Sequence, residues 1–118
     1  MNVIRGDVVI VDYFHASGQG SSLRPALVVQ SDHNNSRIHN TIVAQITSNL
    51  HHLKEPTRLL IDPNTVDGKS SGPHMISVVT CENIVTIHKD LIHHVIGQLS
   101  SALMTRIDSC LKTALSLP

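Results

Sequence analysis

The chain has 118 residues, of which 41% are hydrophobic and 15% charged, and nine Lys and Arg balance nine Asp and Glu. This length and composition predict a single domain, residues 1–118, with a packed core, and exclude extensive disorder. The zero net charge excludes the overall basic character of a nonspecific nucleic-acid binder. With one Tyr, one Phe and no Trp, the chain has no broad aromatic platform for single strands. Any contact with nucleic acid is therefore expected at a small local site.

The sequence also predicts a cytoplasmic protein. No apolar run approaches the ~18 residues of a membrane-spanning helix, and residues 1–7 have no apolar segment followed by a cleavage site. Cys81 and Cys110 stand alone, without the spacing of a zinc site or a disulfide framework. Isolated thiols of this kind fit a reducing compartment.

Six apolar segments predict β-strands, because each is short and most are rich in β-branched residues. They are residues 8–12, 25–30, 41–47, 57–62, 75–87 and 95–99. The fifth segment is long enough for one strand, or for two with a bend near Glu82 and Asn83. Three segments with turn-forming or polar residues predict loops: 16–23, 32–40 and 63–73.

The end of the chain changes to a helical period. From Leu103 to Leu115, apolar residues recur three or four positions apart, and polar residues fill the other face. This pattern predicts an amphipathic helix of about four turns, capped by Ser100 or Ser101. Short strands followed by one helix predict a mainly β fold with α: a small β-barrel closed by the C-terminal helix.

Arg24 and Thr47 are the first candidates for a phosphate site. Arg24 precedes Pro25, so its backbone is expected to be extended, at the mouth of a strand beside a Gly/Ser loop. A guanidinium there suits phosphate because it stays charged and presents a planar fork of donors. Thr47 and Ser48 end the third strand, where hydroxyls bind phosphate or ribose, or cap a turn. The structural alternatives are a solvated arginine and an ordinary turn.

The nine histidines raise the question of metal binding or acid–base chemistry. The pairs His51-His52 and His93-His94 have side chains that diverge on a helix or a strand, and no HExxH-type spacing is present. No metal and no cofactor is therefore expected. His15, beside the Gly/Ser loop, is placed to titrate near neutrality, with a plain surface residue as the alternative.

Taken in chain order, these segments resemble the MazF/PemK toxin family. The resemblance begins with residues 6–12 (GDVVIVD), the Gly/Ser loop, residues 24–29 (RPALVV) and residues 46–48 (ITS). It continues through residues 77–79, 83–84, 86–89 and 96–100 into the amphipathic helix. The segments cover essentially the whole chain, and their order and spacing carry the match more than any single motif.

The resemblance implies an SH3-like barrel with a C-terminal helix, a homodimer and a cytoplasmic bacterial toxin. Family members are mostly sequence-specific ribonucleases that cut single-stranded RNA without a metal, and each is silenced by an antitoxin whose disordered tail covers the RNA groove. The family's active-site arginine precedes Pro-Ala, which corresponds to Arg24, and its active-site threonine lies in Ile-Thr-Ser, which corresponds to Thr47. The expected substrate-binding residues are Ser48, Phe14, His15, Gln19 and Asn83.

Two positions depart from the family pattern. The family often has Gln-Ile-Arg where this chain has Asn83-Ile84-Val85, and Leu23 stands where the loop often carries a second arginine. These changes leave Arg24 and Thr47 in place, but they lower the local positive charge and alter the groups that would read the RNA sequence.

The aromatic residues Tyr13 and Phe14 are neighbours at the head of the Gly/Ser loop. Because adjacent strand residues point to opposite faces, one is expected to pack into the core. The other is then placed to stack on a base beside the reactive phosphate.

The expected chemistry is attack of the ribose 2′-OH on the adjacent phosphorus, giving a 2′,3′-cyclic phosphate and a 5′-OH end. Arg24 would stabilise the developing charge, and Thr47 would align the reacting groups. A general base is not evident, because arginine stays protonated and threonine is a poor base without a partner. Either positioning and electrostatics carry most of the rate, or a residue such as His15 contributes.

Two other functions are open. A toxin of the same fold can bind a protein target, as CcdB binds DNA gyrase, but CcdB acts through aromatic-containing residues at its C-terminus that Ser116-Leu117-Pro118 lacks. The other is a catalytically inactive binding module, against which the presence of both Arg24 and Thr47 argues.

Overall fold

The computed structural model describes residues 2–14, 18 and 20–118. Its six strands are β1 (Asp7–Phe14), β2 (Ser21–Val28), β3 (Asn40–Thr47), β4 (Arg58–Ile61), β5 (Ser77–His88) and β6 (Ile92–Gln98). A four-residue helix, α1 (Asp32–Asn35), lies between β2 and β3, and a 3-10 turn (Lys89–Leu91) joins β5 to β6. The last element is the helix α2 (Ser101–Leu115). Within the described residues, no helix is long and apolar enough to cross a membrane.

The strands form one sheet in the order β4-β5-β3-β2-β1-β6, and every neighbouring pair is antiparallel. The predicted mainly β class with a C-terminal helix is confirmed. The predicted barrel closure is not: in the described part of the chain, the edge strands β4 and β6 do not pair with each other. The edge of β6 instead meets the segment between β4 and β5, where the Gln98 amide donates to the Ser70 carbonyl at 3.0 Å. An irregular segment thus occupies the place of a closing strand, and the SH3-like description stays a prediction.

Apolar residues on both faces of the sheet are buried. One core lies between the sheet and α2 and includes Leu27, Ile46, Val79, Leu103, Ile107 and Cys110. A second core on the other face includes Val9, Val11, Ala26, Val43 and Ile87. The two sets alternate along the strands because successive side chains point to opposite sides.

The helix α2 confirms the predicted amphipathic pattern. Its buried residues are Leu103, Ile107 and Cys110, spaced at the three- and four-residue intervals of one helical face. Ser100 is the N-cap, and its hydroxyl accepts the Leu103 amide at 3.2 Å, which satisfies one of the free amides of the first turn.

The elements α1, β5 and β6 differ from, or refine, the sequence expectations. The helix α1 lies in a segment expected to be a loop, since four residues are too few to show a helical period. β5 is one strand, and its pairing with β3 shifts between Thr80 and Ile84, which confirms the bend expected near Glu82 and Asn83. β6 begins at Ile92, three residues before the predicted start, because it pairs with β1 there.

Candidate active site

The site begins with a fork between β2 and β3. The two strands pair over only three residue pairs, starting at Ala26. Beyond that point β2 follows β1 back to Ser21, while β3 follows β5 to its end at Thr47. Pro25 fits the fork because it has no backbone N–H to donate, and pairing with β3 starts only at the next residue.

This pairing corrects the expected position of Arg24. The strand was expected to begin at Pro25, with Arg24 at its mouth. In the structure β2 begins at Ser21, and Arg24 lies inside the strand, paired with Val11 of β1. The strand is longer than its sequence pattern because β1 provides a partner for the polar residues of the expected loop.

A cavity of about 840 Å³ occupies the fork, within the range of ~300–1,000 Å³ typical of ligand pockets. Arg24 lines it from β2, and Thr47 and Ser48 line it from the end of β3. A third wall is the segment before β5, which contributes His74 and Met75. The fold therefore brings three of the predicted site residues to one cavity.

The cavity is locally cationic, although the chain has no net charge. Arg24 is exposed, and no Asp or Glu is among the described residues that line the cavity with it. The ion pairs of the described chain are made by Arg5, Arg58 and His88. The charge of Arg24 is therefore available to an anion in the cavity.

One hydrogen bond determines how the hydroxyl of Thr47 is oriented. Its Oγ1 accepts the backbone N–H of Asn49 at 3.0 Å, and Asn49 Oδ1 in turn accepts the His51 amide at 3.0 Å. A threonine hydroxyl has one donor and two acceptor sites, so the Asn49 contact leaves the O–H free to donate. Thr47 therefore both caps a turn and keeps a donor for a ligand.

Tyr13 contributes a buried phenol to the cavity. The ring packs against the second core, as expected for one of the two neighbouring aromatics. The hydroxyl is buried without a hydrogen-bond partner among the described residues, and burial raises the pKa of Tyr13 to about 12. It stays a protonated donor at neutral pH.

Three predicted binding groups cannot be placed. His15 and Gln19 lie outside the described residues, and so does the side chain of Phe14. Their substrate-binding roles stay predictions.

Asn83 lies in a second cavity rather than beside Arg24. This cavity, of about 330 Å³, adjoins the first through Gln45, Thr47 and Asn49. Asn83 projects from the irregular part of β5, and its Nδ2 donates to Thr80 Oγ1 at 3.3 Å. The remaining lining residues are His51, His52 and Arg58.

Arg58 is held by an acidic partner next to the second cavity. Its Nε lies 2.8 Å from Glu82 Oε2, and its Nη1 donates to the His51 carbonyl at 3.1 Å. Partial burial acts to raise the pKa of Glu82, but its own backbone amide, Arg58 and Thr57 hydrogen-bond the carboxylate and lower the pKa overall. The pair fixes the turn that follows Thr47.

Sequence reasoning missed His74, Met75 and Arg58. Each lies in or beside a segment expected to be a loop or a weak strand, and no motif distinguishes it there. Their contribution depends on which distant strands lie next to them. Among the described residues, no group of three His, Cys, Asp or Glu could hold a metal ion.

The two cysteines lie in the core, away from both cavities. Cys81 and Cys110 are free and buried, and they belong to the core beneath α2. Burial raises the pKa of Cys81 to about 12 and also raises that of Cys110. Neither is therefore a ready thiolate at neutral pH.

The fold and the cavity define a small single-sheet protein with a C-terminal helix and a cationic, hydroxyl-lined site of a size and charge suited to a phosphodiester. Comparison with protein families gives the same class a name. Residues 4–115 match the family described as PemK-like, MazF-like toxin of type II toxin-antitoxin system. The chain belongs to this family.

Individual relatives agree over nearly the full length. The chain is 34% identical over 118 residues to endoribonuclease EndoA of Bacillus subtilis, covering 99% of this chain and 97% of EndoA. It is 30% identical to endoribonuclease MazF of Staphylococcus epidermidis, covering 96% and 91%. Among solved structures, a mycobacterial endoribonuclease in complex with its cognate antitoxin superposes with a TM-score of 0.78 at 25% identity, covering 98% and 97%. A MazE-MazF structure from Deinococcus radiodurans, at 13% identity and a TM-score of 0.78 over 100% and 99%, shares the fold.

Proposed function

We propose that this chain is the toxin of a type II toxin–antitoxin system and a sequence-specific, metal-independent endoribonuclease that cleaves single-stranded RNA, including mRNA. The observation that carries the proposal is the shared cavity of Arg24 and Thr47. The endoribonuclease names of the relatives support it. The substrate is single-stranded because bases must splay apart for a small site to read them.

The proposed reaction is transesterification within the RNA. The ribose 2′-oxygen forms a bond to the adjacent phosphorus, and the bond from phosphorus to the 5′-oxygen breaks. The products are a 2′,3′-cyclic phosphate and a 5′-OH end. No water is consumed in this step, and the phosphate charge is conserved.

Arg24 and Thr47 have separate tasks in this reaction. The Arg24 guanidinium donates to the non-bridging phosphate oxygens, where charge develops as phosphorus becomes five-coordinate. The Thr47 O–H, left free by the Asn49 contact, donates to the phosphate or the 2′-oxygen and aligns the attack.

The two adjoining cavities suit two neighbouring nucleotides. In the proposal, Ser48 binds the reacting nucleotide together with Phe14, the last residue of β1, and with His15 and Gln19, which follow it in sequence. Asn83, in the second cavity beyond Thr47, offers an amide to a flanking base, since an amide both donates to and accepts from base edges. Asn83 is thus a proposed determinant of sequence preference.

The proposed partners follow from family membership. A mycobacterial relative is described in complex with its cognate antitoxin, and the Deinococcus structure is a MazE-MazF complex. We propose that this chain acts in the cytoplasm as a single-domain homodimer, and that a MazE-like antitoxin silences it by covering the cationic cavity around Arg24.

An Arg24→Ala variant tests the proposal. Incubation with a long RNA, followed by primer extension, reports activity, cleavage position and sequence preference together. We expect discrete fragments from the wild type and near-complete loss from Arg24→Ala, with an unchanged melting temperature because Arg24 is exposed. Arg106→Ala, an exposed arginine on α2, is the matched control and should cleave like the wild type.

Two results would contradict the proposal. A folded Arg24→Ala protein that cleaves at the wild-type rate would remove Arg24 from the reaction. RNA left intact by the wild type, with inhibition of DNA gyrase, would favour a toxin that acts on a protein target.

A further inference from the structure

The proposed reaction needs a group to accept the proton of the 2′-OH. Of the described residues that line the larger cavity, three have ionisable side chains: Tyr13, Arg24 and His74. Arginine does not give up its proton in proteins, and burial raises the pKa of Tyr13 to about 12, so neither is a base near neutral pH. Imidazole is the side chain that serves most often as a general base in enzymes, which leaves His74.

His74 is presented by a segment that is anchored to β6. The Ser70 carbonyl accepts the Gln98 amide at 3.0 Å. Gly72 has a φ of +107°, and a Cβ there would lie 2.7 Å from the Ile96 carbonyl oxygen. The segment therefore packs directly on the backbone of β6 and holds the wall of the cavity that carries His74.

The side chain of His74 is accessible and uncommitted. It is exposed, and it makes no ion pair with the described acidic residues. It shares the cavity with Arg24 and Thr47. Its ring nitrogens are therefore available to a substrate held by those two residues.

We propose that His74 is the general base that takes the proton from the ribose 2′-OH. This inference rests on the endoribonuclease function proposed above. The lone pair of one imidazole nitrogen accepts the proton as the 2′-oxygen bonds to phosphorus. The departing 5′-oxygen takes a proton from a water molecule, and the imidazolium returns its proton to the resulting hydroxide. Protons therefore balance over one turnover.

Among the residues that the structure describes, few charged and titratable groups lie around this site. Arg24 and Tyr13 face the cavity from β2 and β1. The adjoining cavity holds His51, His52 and the Arg58 guanidinium that pairs with Glu82. Because other histidines are near, the assignment requires a variant of His74 and not only a pH profile of the wild type.

The first experiment measures kcat/KM against pH with a short RNA that contains one cleavage site. For the wild type we expect a limb that rises with pH as the base loses its proton and then levels. His74→Ala should lose on the order of a hundredfold in kcat, within the range of general base catalysis, and should lose the rising limb. Added imidazole should restore part of the rate. His74→Gln, which keeps a polar side chain but does not titrate, should show the same loss.

The second experiment separates a base from an acid. A substrate with sulfur in place of the 5′ bridging oxygen has a leaving group that needs no proton. If His74 is the base, the loss in His74→Ala persists with this substrate. If the loss disappears, His74 protonates the leaving group and the proposal is wrong.

Matched variants distinguish this inference from the proposed function. His93, exposed on β6 and not among the described residues that line either cavity, provides the control His93→Ala, expected to match the wild type. The inference fails alone if Arg24→Ala abolishes cleavage while His74→Ala keeps the wild-type kcat and pH limb. It also fails if His74→Gln retains the rate, or if His15→Ala removes the limb that His74→Ala keeps. A wild-type protein that cleaves no RNA would overturn both.

Discussion

The backbone amide of Asn49 donates to Thr47 Oγ1 at 3.0 Å, at the point where β3 ends beside the fork. This bond uses one acceptor site of the hydroxyl and directs the O–H away from the Asn49 amide. In the same turn, Asn49 Oδ1 accepts the His51 amide, and the Arg58 guanidinium donates to the His51 carbonyl. The candidate reactive hydroxyl is thus oriented by a turn that is itself tied to β4.

Removing only the hydroxyl of Thr47 should abolish most activity. Thr47→Val keeps the shape of the side chain but loses the donor to the substrate, and we expect kcat to fall on the order of a hundredfold. The lost turn hydrogen bond should cost about 1 kcal/mol of stability. Thr47→Ser keeps the hydroxyl and should stay within several-fold of the wild type. Single-turnover cleavage with a thermal melt measures both effects, and wild-type activity in Thr47→Val would contradict the assignment.

RNA binding should depend only weakly on salt. The described cavity presents one arginine, and each phosphate neutralised on a single strand contributes a slope of about −0.7 to log K against log salt. One or two contacts predict a slope of about −0.7 to −1.4. Binding of an oligonucleotide with a 2′-deoxy residue at the cleavage position, measured at several salt concentrations, tests this. A much steeper slope would show that a homodimer assembles a basic groove absent from one chain.

Gly72→Ala should destabilise the fold and lower activity together. The positive φ disfavours any side chain, at a cost of about 1–3 kcal/mol, and the new Cβ would meet the Ile96 carbonyl. Gly18→Ala is the matched control, because Gly18 also has a positive φ, of +76°, but no described atom lies within 4 Å of its Cβ position. Chemical denaturation of both variants separates the effect of the contact with Ile96 from the effect of the positive φ. An equal loss in the free energy of unfolding of the two variants would argue against tight packing of the segment on β6.

The Arg58–Glu82 pair should stabilise the protein above acidic pH. Because the pKa of Glu82 is lowered in the folded state, its contribution is complete above the ordinary glutamate pKa of about 4.3 and is lost as the pH falls through the folded value. The melting temperature of Glu82→Gln should therefore lie below that of the wild type at pH 7, and the difference should shrink below about pH 4. Glu55→Gln is the control, since Glu55 forms no ion pair within the described chain. A difference that persists unchanged in acid would contradict the pairing.

Local patterns were sufficient for most of the secondary structure. The helix α2 could be predicted because fifteen residues show several turns of one apolar face, and the bend of β5 follows from polar residues inside an apolar run. The first residues of β2 could not be predicted in this way. Ser21 and Ser22 have no strand pattern of their own, and they are extended only because β1 pairs with them. The helix α1 could not be predicted either, because four residues are too few to show a helical period.

The candidate site divides in the same way. Arg24 and Thr47 could be named from the residues around them and from the family resemblance. The sequence could not predict that Asn83 lies in a neighbouring cavity or that His74 lines the same cavity as Arg24. Both positions depend on where β5 and the segment before it lie against β3.

By itself, the sequence determined that this zero-charge, aromatic-poor chain is a mainly β protein with a terminal helix and a small local site. Composition and periodicity depend only on the residues and their order along the chain, so the sequence is sufficient to determine them. Only the tertiary structure decided that β2 and β3 separate at Pro25, that an irregular segment meets β6 in place of a closing strand, and that His74 lines the cavity of Arg24. These features depend on the register of strands distant in sequence, which the hydrogen-bond pairing of the whole sheet selects.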